Sequence, residues 1–118
     1  TADPDTHAVY LHLAQGLQKL GLLYLHVVDH SSMGAPALPP EIKPALRQAF
    51  TAPIILCGGY DRAHADADIA ERKADLIAFG RLFLANVDLV EKLRTGVAPT
   101  PPDFSKNFTP GPDGYVVL

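Results

Sequence analysis

The chain has 118 residues, 47% of them apolar, and a formal charge of -3. That is enough for one small domain with a core, too apolar for a disordered tail, and too acidic to favour a nucleic-acid or anionic-membrane partner. No run of about 18 apolar residues is present to span a membrane, and the single cysteine, Cys57, leaves no internal disulfide. The start, TADPDTHAVY, lacks the basic and apolar regions of a signal peptide, so a reduced, cytoplasmic setting is expected.

The first predicted element is a helix, DPDTHAVYLHLAQGLQKLG. Val9, Leu13, Leu17 and Leu20 recur at helical steps, Asp3 or Asp5 stands at its start, and Gly21 at its end. LLYLHVV (22–28) is apolar on both faces except at His26, as expected of a parallel strand buried on both sides. The Ser, Gly and Pro content of DHSSMGAPALPP (29–40) predicts a loop. A short helix follows over 40–50, with Pro40 at its entry and Pro44 in its first turn. PIILC (53–57) is a second strand, 61–74 a helix capped by Asp61, and DLIAF (75–79) a third strand. The last helix spans 86–96, with Asn86 as cap and Gly96 just past its end. Residues 97–118 form a proline-rich tail. Alternation of strand and helix predicts an α/β fold of parallel βαβ units with right-handed crossovers.

Ligands of such sheets bind at the C-terminal ends of the strands. The second strand ends in Gly58-Gly59 and the third in Gly80-Arg81. Glycine lets backbone approach a ligand, N–H groups near a helix start suit a phosphate, and an arginine adds a forked cation. Glycine after a strand is also ordinary turn punctuation. Two glycine-tipped consecutive strands beside an arginine favour the phosphate reading.

Other polar residues carry weaker signals. His26 and His30 lie about 13 Å apart by strand rise, which discounts a shared metal. His64, Asp66, Asp68 and Glu71 read as a solvated helix face, and His7 and His12 as surface residues. Cys57 reads as a small buried hydrophobe rather than a reactive thiol. Tyr60 is expected to pack under the glycine loop, while Met33 and Leu38 sit on a loop at the mouth of the sheet. Asp29, His30, Ser31 and Ser32 are too close in sequence to form a hydrolase triad.

PIILCGGYD, KADLIAFGRLFLANVDLVEKLRTG and FTPGPDGY resemble the C-terminal part of the old yellow enzyme family of FMN-dependent ene-reductases, N-ethylmaleimide reductases included. THAVYLHLAQGLQKLGLLYLHVVD looks like that family's fifth helix and sixth strand, so the resemblance covers essentially the whole chain, 1–118. It implies a (β/α)8 TIM barrel in which 22–28, 53–57 and 75–79 are strands six to eight. It implies FMN as cofactor, NAD(P)H as reductant and an activated alkene as substrate, with nitro compounds and quinones as related acceptors. By the same resemblance Gly58, Gly59, Gly80 and Arg81 hold the FMN phosphate, and Phe108 falls where many relatives carry a tyrosine near the flavin edge. Gly114 and Tyr115 match the family's ending.

The sequence departs from the family pattern at three points. Leu82 and Val87 replace two prolines, and Phe108 lacks a phenol. The family's substrate-binding histidine–asparagine or histidine pair and its proton-donating tyrosine lie on earlier strands, so no catalytic residue is assigned to this chain. A β/α barrel takes about 250 residues. The resemblance therefore implies a missing N-terminal part of the barrel as partner, and a sheet with two open edges and exposed apolar surface. Before the resemblance is weighed, another phosphate-binding barrel such as a sugar-phosphate isomerase or aldolase fits the glycine-tipped strands, as does a non-catalytic half-barrel.

Overall fold

The computed structural model describes residues 4–103 and 105. Helix and strand alternate as α1 (Thr6–Lys19), β1 (Leu25–Val28), a 3-10 turn (Ser31–Met33), α2 (Ile42–Ala49), β2 (Ile54–Cys57), α3 (Arg62–Ala70), β3 (Leu76–Ala78), α4 (Arg81–Ala85) and α5 (Leu89–Thr95). One compact unit runs through Ala78 and a second begins at Phe79. Among the described residues, no helix is long and apolar enough to cross a membrane.

In the first unit the strands form a parallel sheet in the order β1-β2-β3. Leu25 pairs with Ile54 and Val27 with Leu56, while Leu56 pairs with Ile77. In-register neighbours share a face, so Leu25, Val27, Ile54, Leu56 and Ile77 form one apolar surface. Phe50 and Ala74, with Leu17 and Tyr60, pack on it, and Ala14, Ile42 and Leu46 cover its β1 side. His26, Val28, Ile55, Cys57, Leu76 and Ala78 take the opposite face. Val28 is 47% exposed and Leu76 56%. The strands are thus buried on one side only, because right-handed crossovers place the intervening helices on the same side of the sheet.

Two helix ends match the sequence signals. Asp61 Oδ1 accepts the backbone N–H of His64 at 2.8 Å, capping α3. Gly96 closes α5 in the left-handed region, with φ of 79°.

Other expectations need correction. The apolar stripe of α1 is not its buried face. Val9 and Leu13 are about half exposed and Leu20 75%, while Ala14 is buried against α2. Only Leu17 of the stripe reaches the core. β1 begins at Leu25 rather than Leu22. Leu25 N–H donates to Pro53 O at 3.0 Å, and Pro53 has no N–H with which to extend the ladder backwards.

In the second unit, α5 starts at Leu89, and Asn86 is not its cap. Asn86 is 2% exposed and ends α4 instead. Its Nδ2 donates to Leu82 O at 2.8 Å and Thr100 O at 2.9 Å, while its Oδ1 accepts Thr100 N–H at 2.9 Å and Lys92 Nζ at 2.7 Å. One buried amide, fully satisfied, therefore ties the start of the proline-rich segment to α4 and α5.

Candidate functional site

The end of β2 is shaped by the loop that leaves β1. Asp29 N–H donates to Cys57 O at 2.8 Å, continuing the ladder one step beyond the strands. That brings the Asp29 backbone so close to Gly58 that a Cβ there would lie 2.0 Å from Asp29 O. Gly58 and Gly59 also both take positive φ, 124° and 68°, where side chains are strained. A Cβ on Gly59 would meet Ser32 Cβ at 3.0 Å. The glycine pair is therefore a requirement of the chain's own packing before any ligand is considered.

The Asp29 carboxylate fixes that loop. Its Oδ1 accepts the Ser31 N–H at 2.9 Å, and its Oδ2 pairs with Lys43 Nζ of α2 at 2.9 Å. Burial pushes the carboxyl pKa up, but the Ser31 N–H and the Lys43 ammonium outweigh it and bring the pKa down to about 2. Past the glycines, Tyr60 Oη donates to Asp68 Oδ2 at 2.5 Å. Burial and the Asp68 carboxylate both push the phenol's pKa up. Tyr60 thus packs on the core as expected, and Asp68 leaves the solvated set to hold it.

In the second unit, Gly80 has a negative φ and opens into Arg81, the first residue of α4. Among the described residues nothing lies within 4 Å of where a Gly80 Cβ would stand. Packing alone does not require a glycine here. Phe108, Gly114 and Tyr115 lie outside the described residues.

The remaining candidates lie elsewhere. His26 is exposed on the uncovered face of the sheet, where Cys57 is half-buried rather than enclosed. His30 accepts Met33 N–H through its backbone oxygen at 2.9 Å. Asp29 bonds to Ser31 N–H and Lys43, not in a triad. Met33 is 56% exposed and Leu38 half-buried. His64 pairs with Asp61, Arg62 with Asp66 and Lys73 with Glu71, all on the exposed side of α3 and the turn after it.

Two polar clusters were not found by sequence reasoning, the Asp29–Lys43 pair and a second at the opposite end of the strands. There Asp75 Oδ2 accepts Ile54 N–H at 2.8 Å and Arg47 Nη1 at 2.6 Å. Arg47 Nη2 also donates to the carbonyls of Phe50 and Ala52. An acid at the first position of a strand was the available signal for Asp75, but its partner lies far away in sequence.

Backbone amides without side chains, as at Gly58 and Gly59, and a guanidinium, as at Arg81, are each of a type that suits a phosphate group. Among the described residues, no group of three His, Cys, Asp or Glu side chains is placed to hold a metal ion.

A model of the NADH:flavin oxidoreductase / NADH oxidase family matches residues 15–99. The chain is 40% identical over 90 residues to a 12-oxophytodienoate reductase-like protein of Solanum lycopersicum, covering 76% of this chain and 24% of the relative. It is 34% identical over 114 residues to 12-oxophytodienoate reductase 1 of Oryza sativa subsp. japonica, covering 93% and 30%. Among solved structures, morphinone reductase superposes with a TM-score of 0.80 at 38% identity over 88% of this chain and 28% of its own. The old yellow enzyme from Trypanosoma cruzi gives 0.86 at 30% identity over 96% and 29%. The chain spans less than a third of the length of each of these proteins. The solved neighbours are TIM barrels, and the cofactors of the family are FMN and NAD(P)H. With most of its length matched and its parallel sheet superposing on theirs, the chain belongs to the flavin oxidoreductase family of the old yellow enzymes.

Proposed function

We propose that this chain is the C-terminal part of a single FMN-binding (β/α)8 barrel, with β1, β2 and β3 as its sixth, seventh and eighth strands. On this reading the complete protein is an ene-reductase that uses NAD(P)H to reduce activated C=C bonds, and this chain supplies the phosphate site. The observation that carries the reading is a parallel sheet whose last two strands run into Gly58-Gly59 and Gly80-Arg81.

The bound flavin supplies hydride transfer. The chain's own residues bind and orient. The backbone N–H groups of Gly59, Gly80 and Arg81 serve as donors to the phosphate, Gly58 lets the chain turn there, and the Arg81 guanidinium contributes charge. The absent Gly80 side chain leaves room for close approach. Phe108 is assigned to the flavin edge by resemblance alone. The proton donor and the substrate-binding pair belong to the rest of the barrel, which is this chain's partner.

Family membership sets aside the isomerase and aldolase reading. A non-catalytic half-barrel is distinguished by sample colour and mass. Flavin absorbance together with the remainder of the barrel supports the proposal, and a colourless self-paired chain opposes it. The sharper test is Arg81→Ala in the complete protein. FMN affinity should fall roughly 10- to 100-fold, the cost of a charge-assisted hydrogen bond, while hydride transfer by flavin that remains bound changes little. Equal FMN affinity in the variant sinks the assignment.

A further inference from the structure

We propose that Asp29 is a positioning residue for phosphate binding: its carboxylate locks the loop after β1 against the Gly58-Gly59 turn, and so fixes the backbone offered to the phosphate. The inference rests on the phosphate-site reading above and adds a residue to it.

Four contacts converge on this one side chain and its own backbone. The Asp29 N–H is bonded to Cys57 O at 2.8 Å, the residue just before the glycine pair. The Asp29 carbonyl occupies the space a Gly58 side chain would need. One carboxylate oxygen holds Ser31 N–H, which sets the turn that carries Ser32 against Gly59. The other holds Lys43 of α2, which is packed on the sheet through Ile42 and Leu46.

A rigid helix, an ion pair and a turn thus meet at the only two consecutive glycines with positive φ among the described residues. Backbone at positive φ without side chains has the widest choice of conformations. It defines a site only when its neighbours restrict it, and Asp29 is what restricts it here. The side chain is largely enclosed, at 13% exposure, and its charge is answered by Lys43.

A residue that acts on the phosphate-facing backbone should affect FMN and leave riboflavin, which lacks the phosphate, alone. The test is to measure FMN and riboflavin dissociation constants by flavin fluorescence for the complete protein and its variants Asp29→Asn, Lys43→Met and Arg81→Ala. Asp29→Asn keeps the shape and an acceptor for Ser31 N–H but removes the charge. Lys43→Met attacks the same pair from α2, should Asp29→Asn fail to fold.

FMN affinity should fall by about tenfold in either variant, the low end of what outer-shell partners cost in metal sites, with riboflavin affinity unchanged. Equal losses for both flavins, or no loss for FMN, overturn the role of Asp29. If Arg81→Ala shifts the FMN-to-riboflavin ratio and the Asp29 and Lys43 variants do not, only this inference fails. If none of the three shifts it, the phosphate-site reading fails with it.

Discussion

A methyl group on Gly58 would stand 2.0 Å from the Asp29 carbonyl oxygen, on backbone with φ of 124°. A methyl group on Gly80 would stand in open space on ordinary negative φ. The two substitutions should therefore separate. Gly58→Ala should destabilise the fold by about 3 kcal/mol or more, from strain and overlap together. Gly80→Ala should change stability by no more than about 1 kcal/mol, yet weaken FMN binding in the complete protein. Urea unfolding beside FMN titration checks both, and a fold loss at Gly80 equal to that at Gly58 would contradict the contrast. The sequence showed both glycines but not this difference. The collision at Gly58 depends on the Asp29 carbonyl, and only the strand register brings that atom there. Asp29 itself carried no local signal beyond following a strand, because its partner Lys43 lies on the next helix.

At the scale of elements, Arg47 and Asp75 join three pieces of chain at the N-terminal end of the strands: the end of α2, the start of β2 and the residue before β3. In β/α barrels chemistry gathers at the C-terminal ends of the strands, so on the proposed fold the polar contacts here serve stability. Arg47 donates to one carboxylate and two carbonyls through its forked head, which the single ammonium of a lysine does not reproduce. Arg47→Lys should lower stability by about 1–3 kcal/mol and leave flavin affinity unchanged, as read by thermal unfolding and flavin titration. The order of the longer elements was legible from apolar runs alternating with amphipathic ones. The ends were less so. Leu22 to Tyr24 extend the apolar run of β1 but lie beyond its pairing with β2. Helix α4 is five residues long, too short to show a helical period. Asparagine before a helical period favours a cap, whereas the bonds of Asn86 to Thr100 depend on a proline-rich segment with no period of its own.

At the scale of the whole molecule, acid should act through carboxylates that the fold holds ionised. The Asp29 carboxyl titrates at about 2, against an ordinary value of 3.8. Asp75 is also lowered, first by the Ile54 N–H and then by Arg47. A lowered folded-state pKa contributes stability that is complete above the unfolded value and is lost as pH falls through the folded one. Thermal midpoints should therefore drop as pH falls from about 4 to 2, and Asp29→Asn should flatten that drop. A variant with an unaltered slope would remove Asp29 from the account.

The strand order β1-β2-β3 follows the order of the chain. Among the described residues each strand is bonded only to its neighbours in chain order, as staves are in a cask. A sheet built this way has no strand threaded from elsewhere among the described residues, so the three strands keep their pairing with one another wherever the chain is parted outside them. The outer edges of β1 and β3 pair with no other strand among the described residues, and open edges of this kind are templates for further strands. On the proposed barrel, the complete flavoprotein should be recoverable by mixing two separate polypeptides, with bound flavin reporting that both seams have closed.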